Sequence, residues 1–173
     1  LVDLVTSGRL KPCHAIDLGS GTASNVIFLA QHGFDVTGVD YAPAAVEKGQ
    51  RMAREANVSA LFVVDDLTDL KVVSGQYDLL VDYGTLDDLN PADRDRYVKN
   101  VLPLTHPGSQ FLLYVFEWEL SWWEHVITGD AMAVEPGEIE RRFSPYFSIE
   151  EIARDTSSGG WPRGSAVYLM TRM

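Results

Sequence analysis

The chain has 173 residues, of which 46% are hydrophobic and 23% charged, a composition typical of a globular protein rather than a disordered one. Lysine and arginine total 14 against 25 aspartates and glutamates, and the net charge of -11 opposes binding to a nucleic-acid backbone. One cysteine excludes an internal disulfide, and no apolar run approaches the roughly 20 residues that span a bilayer. We expect a single cytoplasmic domain over residues 1–173, with no nucleic-acid or membrane partner.

Short apolar runs alternate with segments of helical periodicity over the first two thirds of the chain. This alternation predicts parallel strands that are buried on both faces and joined by helices. The predicted strands are His14–Leu18, Asp35–Val39, Ala60–Val64, Tyr77–Val81 and Gln110–Phe116. The predicted helices are Ser24–His32, Pro43–Glu55 and Pro91–Leu102, with Ser24 and Asn90 as capping residues.

The last third of the chain has a different pattern. Segment 117–135 is rich in tryptophan and acidic residues, and two further strands are predicted at Phe147–Ala153 and Ala166–Thr171. A turn-rich loop over 156–164 separates these strands, and such a connection favours antiparallel pairing. The expected fold is therefore α/β: a doubly wound, mostly parallel seven-stranded sheet with an antiparallel final strand.

A glycine-rich turn between the first strand and the first helix is the strongest functional signal. It reads Asp17-Leu18-Gly19-Ser20-Gly21-Thr22-Ala23, and its glycines permit a tight turn and close approach of a ligand to the backbone. Asp40 lies 19 residues beyond Gly21 at the end of the second strand, where a carboxylate can bind both hydroxyls of a ribose. Together they predict a nucleoside site rather than an ordinary strand–turn–helix.

The residues of the glycine-rich turn indicate which nucleoside-containing cofactor the site would bind. Dinucleotide-binding loops carry a third glycine where this chain has Ser24. Asp17 would repel a pyrophosphate but suits a ligand with an amino group or a sulfonium, which favours S-adenosylmethionine over NAD. Two alternatives remain: an NAD-dependent oxidoreductase, although no Tyr-x-x-x-Lys pair is found, and a non-catalytic module that binds S-adenosylmethionine.

Four segments in chain order resemble the motifs of class I S-adenosylmethionine-dependent methyltransferases. They are Asp17–Ala23, Gly38–Asp40, Val64–Leu67 and Tyr77–Asp87. Within that family, the stretch from Gly21 to Gly33 is most similar to bacterial small-molecule enzymes of the thiopurine and heterocyclic-toxin type. The chain departs from them at Ala23, where such proteins usually have glycine.

The resemblance implies a role for each end of the cofactor site. At the nucleoside end, Asp40 would bind the ribose hydroxyls and Tyr41 would flank the adenine. Asp66 would accept a hydrogen bond from the adenine amino group, while Leu67 would donate its backbone amide to the ring. Asp65 is adjacent, so the assignment between the two aspartates stays open.

At the methionine end, the resemblance implies backbone contacts from Gly19 and Gly21, with Asp17 near the amino group. Asp82 and Tyr83, after the fourth strand, would lie under the methionine portion and the methyl group. In many relatives an N-terminal helix covers the pocket. Because this sequence opens with leucine and a structured pattern starts at once, we expect such a lid segment to lie outside it.

The methyl acceptor requires orientation and exclusion of water, and a base only if its nucleophile must lose a proton. Trp118 and Trp122 are candidates for an aromatic lining, and their i, i+4 spacing also fits a helical stripe packed on the domain. Thr85 is a further candidate substrate contact, and Glu117 and His125 are candidate bases. The prediction is methyl transfer by in-line displacement to a small, aromatic or heterocyclic acceptor through O, N or S, leaving S-adenosylhomocysteine.

No metal is expected at this site. Acidic residues after the fourth and fifth strands hold magnesium in some catechol-type methyltransferases. Here the spacing of the corresponding acids does not match that arrangement; they are Asp87, Asp88, Glu117 and Glu119. No heptad pattern indicates an oligomeric state.

Overall fold

The computed structural model describes residues 1–128, 131, 133–156 and 163–173. Its strands are β1 His14–Leu18, β2 Asp35–Asp40, β3 Leu61–Val64, β4 Leu79–Tyr83, β5 Gln110–Phe116, β6 Phe147–Asp155 and β7 Ser165–Arg172. They form one seven-stranded sheet in the order β3-β2-β1-β4-β5-β7-β6. The first five strands pair in parallel, and β7 runs antiparallel to both of its neighbours. The predicted fold class is confirmed.

The helices agree with the predicted ones in part. They are α1 Val2–Thr6, α2 Ser24–Gln31, α3 Pro43–Glu55, α4 Pro91–Val101, α5 Trp122–Thr128 and α6 Glu138–Phe143, and a short 3-10 turn follows α4. Asn90 caps α4 as predicted, since its side chain accepts hydrogen bonds from the next two free amides. The prediction of Ser24 as a cap is wrong, because Ala23 holds the cap position of α2 in a left-handed conformation. Helices α1 and α6 were not predicted.

Two apolar cores cover the two faces of the sheet. Alternate side chains of each strand point to opposite faces, so neighbours such as Leu79 and Leu80 enter different cores. Helices α4 and α6 pack on the face that carries Leu80, and α1, α2 and α3 pack on the face that carries Leu79. Burial on both faces explains why the central strands are nearly continuous apolar runs.

The strand order reverses between β1 and β4. From β1 the chain moves outward through β2 to β3, and from β4 it moves in the other direction to β5. Connections that leave the carboxyl ends of β1 and β4 in opposite directions open a crevice there, which is where open α/β sheets bind ligands. Asp17 and Asp82 lie on these two strands, and Asp40 ends the neighbouring β2.

Two further observations concern the chain as a whole. Within the described ranges, no helix combines the length and the apolar character needed to cross a membrane. Of the predicted loop over 156–164, residues 157–162 lie outside the described part of the chain.

Candidate functional site

The glycine loop is fixed to the end of β2 by backbone hydrogen bonds. The amides of Gly19 and Ser20 both donate to the carbonyl of Val39, at 2.8 Å. The amide of Gly21 donates to Asp40 Oδ2 at 2.8 Å, and Oδ1 of the same carboxylate accepts from the backbone two residues further on, at 2.9 Å. Each carboxylate oxygen has a second lone pair. Asp40 is therefore oriented at the loop and retains acceptor capacity for a ligand hydroxyl.

Gly19 lies against the loop that follows β4. Its φ is +79°, and a Cβ built on it would stand 2.0 Å from Thr85 Oγ1. The hydroxyl of Thr85 in turn donates to the carbonyl of Leu18 at 2.9 Å. A glycine is required here both by the backbone conformation and by the lack of space. Thr85 uses its hydroxyl to join the two loops that border the crevice.

Ala23 departs from the family pattern without obstructing the crevice. Its φ of +65° explains why glycine is common here, since a left-handed conformation costs an L-residue about 1–2 kcal/mol. The methyl group is fully buried in the core under α2 and α3. It lies 3.2 Å from the point where a Cβ on Gly49 would stand, so it faces α3. Burial of this methyl offsets much of the backbone strain, by about 0.8 kcal/mol.

A cavity of about 270 Å³ lies beyond the ends of β2 and β3. Tyr41, 78% exposed, stands at its edge, and Leu67 is buried in its wall. The full lining is Tyr41, Asp65, Asp66, Leu67, Thr68, Thr85, Leu89 and Asp93. The structure thus brings Tyr41, Asp66 and Leu67 together around a space of mixed apolar and acidic character, and Asp40 directly precedes Tyr41 in the chain.

The structure distinguishes the two adjacent aspartates after β3. The buried carboxylate of Asp65 accepts hydrogen bonds from the backbone amides of Asp66 and of residues 71–73, at 2.8–3.1 Å. Burial acts to raise the pKa of Asp65, but these backbone bonds outweigh it and lower the pKa. Asp65 therefore shapes the loop, whereas Asp66 is exposed at the cavity with Oδ1 accepting from Thr68 at 2.8 Å.

Asp17 and Asp82 are two buried acids near the carboxyl ends of β1 and β4. Oδ2 of Asp17 has no hydrogen-bond partner among the described residues, and its Oδ1 lies 3.4 Å from the side-chain amide of Asn25. Asp82 accepts from Tyr97 Oη at 2.5 Å and from the Thr85 amide at 2.8 Å. Burial raises the pKa of each carboxyl to about 7.

These groups fit a ligand that carries positive charge and hydrogen-bond donors. The hydroxyl of Ser20 is buried in the same loop and, like Asp17 Oδ2, has no partner within the described part of the chain. Buried polar atoms without partners are rare in folded proteins and mark sites completed by a ligand or water. An ammonium or sulfonium next to Asp17 and Asp82 would compensate charges that burial otherwise makes costly.

Aromatic side chains lie at and just beyond the carboxyl ends of β4 and β5. Tyr83 is largely exposed and stacks on Tyr114, with ring centroids 4.2 Å apart and an interplanar angle of 8°. Phe116 contacts the rings of Tyr114 and Trp118, at 5.7 and 6.1 Å between centroids. Trp118 is 7% exposed, and its Nε1 has no hydrogen-bond partner among the described residues.

The helical stripe considered for Trp118 and Trp122 is wrong. Helix α5 begins at Trp122, so Trp118 precedes it and packs in a small cluster with Leu120 and Ala133. Trp122 is 77% exposed on α5. The two side chains therefore have different environments, one in a buried cluster after β5 and the other in solvent.

The two candidate bases are differently placed. Glu117 is buried, with Oε1 2.6 Å from Arg154 Nη1 and Oε2 accepting from Tyr168 Oη at 2.6 Å. Both oxygens of this carboxylate are therefore engaged, one by a guanidinium and one by a phenol. His125 lies on α5, with Nε2 3.8 Å from Glu135 Oε1. Among the described residues, no group of three His, Cys, Asp or Glu could hold a metal ion.

Arg94 on α4 supports the loop after β4, and sequence analysis did not identify it. Its buried guanidinium donates to the carbonyls of Asp87 and Ala133, at 3.0 and 2.8 Å, and its Nε donates to the carbonyl of Leu86 at 3.2 Å. It also forms an ion pair with buried Glu138 at 3.1 Å. One side chain thereby fixes the loop after β4 against α6. A helix pattern containing Asp-Arg-Asp-Arg gives no signal as to which arginine is buried.

The sheet order, the glycine loop and the acidic strand ends define a Rossmann-like nucleoside-binding protein. The profile of the methyltransferase domain family matches residues 15–108, which carry β1 to β4, α2 to α4 and all four motifs. The chain belongs to this methyltransferase domain family, in agreement with the resemblance of its four motifs to the class I S-adenosylmethionine-dependent members.

Individual relatives agree with this assignment. Over 154 residues, 88% of this chain and 66% of the relative, the chain is 23% identical to 2-heptyl-1-hydroxyquinolin-4(1H)-one methyltransferase of Mycobacteroides abscessus. Over 111 residues, 60% of this chain and 48% of the relative, it is 30% identical to EEF1A lysine methyltransferase 2 of Danio rerio. The chain thus spans about half of one of these curated relatives and just under two thirds of the other.

A solved structure supports the fold. Magnesium protoporphyrin IX methyltransferase from Synechocystis PCC 6803, determined with bound S-adenosylhomocysteine, superposes with a TM-score of 0.79. The superposition covers 99% of this chain and 80% of that enzyme, at 21% sequence identity. At this identity the likeness concerns the architecture and not the substrate.

Proposed function

We propose that the protein transfers a methyl group from S-adenosylmethionine to a small, aromatic or heterocyclic acceptor by in-line displacement. The observation that carries this proposal is the meeting of two unlike surfaces at the crevice. On one side are the buried carboxyls of Asp17 and Asp82, which suit a cationic cofactor. On the other side are aromatic rings after β4 and β5, which suit a flat apolar acceptor.

The cofactor would be held by the residues that line the crevice and the cavity. Gly19 and Gly21 would contact it through their backbone, and Asp17 would bind its amino group. Asp40 would accept from the ribose hydroxyls, and the adenine would enter the cavity, with contacts to Tyr41, Asp66 and Leu67. Asp82 and Tyr83 would lie beside the methionine portion. When bound, the cofactor supplies an electrophilic methyl group on a cationic sulfur.

The acceptor would lie over the carboxyl ends of β4 and β5. Tyr83, which is 58% exposed and stacked on Tyr114, offers a flat surface there. Trp122 would contact a part of the acceptor that extends toward solvent. Of the two bases suggested by sequence, Glu117 has both carboxylate oxygens engaged by Arg154 and Tyr168, so His125 is the candidate that the proposal keeps.

A small-molecule acceptor is supported by the Mycobacteroides relative, whose name specifies a hydroxyquinolone. The Danio relative acts on a lysine of a protein, as its name states, and makes a lysine side chain the second candidate acceptor. The aromatic surface favours the first candidate, because a lysine side chain offers no flat apolar area to the exposed ring of Tyr83.

Two measurements test the proposal. Calorimetry should detect binding of S-adenosylhomocysteine, and the absence of binding would contradict the cofactor assignment. Transfer of a radiolabelled methyl group should then be measured over a panel of phenols, thiols and azaheterocycles, with a lysine-containing peptide as the competing class. Labelling of the peptide alone would overturn the small-molecule acceptor, and binding without transfer to any of them would favour a non-catalytic module.

A further inference from the structure

Tyr97 on α4 is a buried polar side chain that the proposed function does not yet use. The residue is 0% exposed and lies in the core on the α4 face of the sheet. Its hydroxyl donates to Asp82 Oδ2 at 2.5 Å. A phenylalanine ring would fill nearly the same space without burying a hydroxyl, so the hydroxyl of Tyr97 matters through its bond to Asp82.

The bond from Tyr97 orients a carboxylate at the end of β4. Asp82 pairs with Leu18 in the register of β4 against β1, so it lies beside the residue that precedes Gly19. Its other carboxylate oxygen, Oδ1, accepts from the backbone amide of Thr85 at 2.8 Å. With Oδ2 held by the phenol, Oδ1 is directed at this amide. Tyr97 therefore orients Asp82, and Asp82 fixes the start of the loop that follows β4.

Thr85 connects this constraint to the cofactor site. It lines the cavity proposed for the adenine, and its hydroxyl donates to the carbonyl of Leu18 at 2.9 Å. Three atoms of its side chain stand 2.0–3.1 Å from the point where a Cβ on Gly19 would lie, so Thr85 fills the space beside this glycine. A displacement of Thr85 would therefore change both the wall of the cavity and its contact with the glycine loop.

Helix α4 holds the same loop at a second point. Arg94 lies three residues before Tyr97, and residues at this spacing face the same side of a helix. Its guanidinium donates to the backbone carbonyls of residues 86–87, whereas Tyr97 acts at Asp82. The part of the loop that contains Thr85 is thus held on both sides by side chains of α4.

The ionisation of the two groups agrees with this arrangement. Burial, together with the charge of Asp82, raises the pKa of Tyr97 well above its usual value, so the phenol keeps its proton and donates. Burial also raises the pKa of Asp82 to about 7, while the bond from Tyr97 acts in the opposite direction and favours the carboxylate.

We propose that Tyr97 is a positioning residue of the cofactor site, acting through Asp82 and Thr85 on the contact between the glycine loop and the loop after β4. The inference rests on the proposed function, since that function assigns the cofactor to the crevice between these loops. Tyr97 acts from the core without touching the cofactor or the acceptor.

Calorimetry with S-adenosylhomocysteine tests the inference on two matched variants. Tyr97→Phe should lower the affinity about fivefold or more, because the hydrogen bond that holds the binding wall is lost. Tyr168→Phe is the control, since Tyr168 is equally buried in the same core and donates at 2.6 Å to Glu117, a buried carboxylate that does not line the cavity. We expect the control to change the affinity by less than about twofold. Equal losses in the two variants would overturn the inference.

A double-mutant cycle determines whether the effect passes through Thr85. Thr85→Val keeps the shape of the side chain but removes the hydroxyl that joins the two loops, so it should weaken binding, whereas Thr85→Ser should retain the affinity. In the Thr85→Val background, Tyr97→Phe should lower the affinity by less than about twofold, since the contact that it supports is already broken. A loss as large as in the wild-type background would show that Tyr97 acts by another route and would overturn the positioning role.

The outcomes separate this inference from the proposed function. If S-adenosylhomocysteine does not bind the wild type, the cofactor assignment fails and the inference fails with it. Binding to the wild type with the same affinity in Tyr97→Phe overturns the inference alone. If Tyr97→Phe does not fold, Thr85→Val at the half-buried loop position decides, and an unchanged affinity in that variant would overturn the inference.

Discussion

Asp40 is the residue whose contribution to cofactor binding can be measured most directly. Its carboxylate accepts from the amides of Gly21 and Ala42 and retains lone pairs for the ribose. Asp40→Ala should weaken binding of S-adenosylhomocysteine by about 1.5–3 kcal/mol, because hydrogen bonds to a charged group are lost. Calorimetry measures the change, with Asp35→Ala at the exposed opposite end of β2 as the control. Equal loss in the two variants would contradict the assigned contact.

Gly19 provides a test of the contact between the two crevice loops. A Cβ at this position would stand 2.0 Å from Thr85 Oγ1 and would also require a positive φ. Gly19→Ala should lower the free energy of unfolding by about 2–5 kcal/mol, the sum of the backbone cost and overpacking. Gly75→Ala isolates the backbone cost, since Gly75 has a φ of +92° and no atom within 4 Å of its ideal Cβ. Urea unfolding should therefore show a clearly smaller loss for Gly75→Ala than for Gly19→Ala.

At the residue scale, the sequence indicated which residues belong to the site but not which of them are buried or which groups they contact. The motif identified Asp65 and Asp66 as a pair, but only the path of residues 71–73 shows which carboxylate is occupied by backbone amides. Glu117 was a candidate base because it follows β5, yet its partners Arg154 and Tyr168 lie far away in sequence. The burial of a carboxyl and the identity of its partners depend on contacts between distant segments, which a single sequence does not encode in any local pattern.

The loop after β4 and α6 are held together by Arg94. Its ion pair with Glu138 is buried, and three of its hydrogen bonds go to backbone carbonyls. Arg94→Met should destabilise the protein by about 3–5 kcal/mol, because Glu138 loses a partner in a buried site. Urea denaturation measures this loss. Arg96→Met, at an exposed pair on the same helix, should change stability by less than about 1 kcal/mol, and similar losses in both variants would contradict the bridging role.

At the scale of elements, the reliability of prediction followed the strength of the local signal. Helix α4 was predicted because Asn90 and Pro91 mark its start, and Asn90 does cap it. Helix α6 has only 6 residues, four of them charged, and it begins after Gly137, which has a left-handed conformation. It therefore has neither a long apolar stripe nor a capping side chain from which it could be predicted. The two tryptophans fitted a helical period, but the chain enters α5 only at Trp122.

The whole molecule combines a net charge of -11 with three buried carboxyls, those of Asp17, Asp82 and Asp87, whose pKa values burial raises to about 7. An unfolded aspartate titrates near 3.9, so between about pH 4 and 7 the folded protein binds more protons than the unfolded chain. Stability should therefore fall as pH rises from 5 to 7 and level off above about 8. Urea midpoints at successive pH values measure this slope, and a rise over the same interval would contradict it.

The same carboxyls should couple cofactor binding to proton release. A cationic ligand lowers the pKa of nearby acids, so S-adenosylmethionine should displace protons near pH 7 and bind more tightly at pH 8 than at pH 6. Calorimetry in two buffers of different ionisation enthalpy counts the protons released. S-adenosylhomocysteine lacks the sulfonium charge and should release fewer, and identical proton counts for the two ligands would show that the sulfonium does not approach the acidic cluster.

The position of β7 between β5 and β6 has a consequence for folding of the chain during its synthesis on the ribosome. Strands β1 to β5 can pair in the order in which they emerge, but β6 has no neighbour until β7 has left the exit tunnel. During that interval β5 presents an open edge of apolar sequence, the kind of surface that nascent chains expose to one another and to chaperones. Synthesis that stalls before residue 165 should therefore yield an aggregation-prone product that already contains the nucleotide-binding half of the sheet.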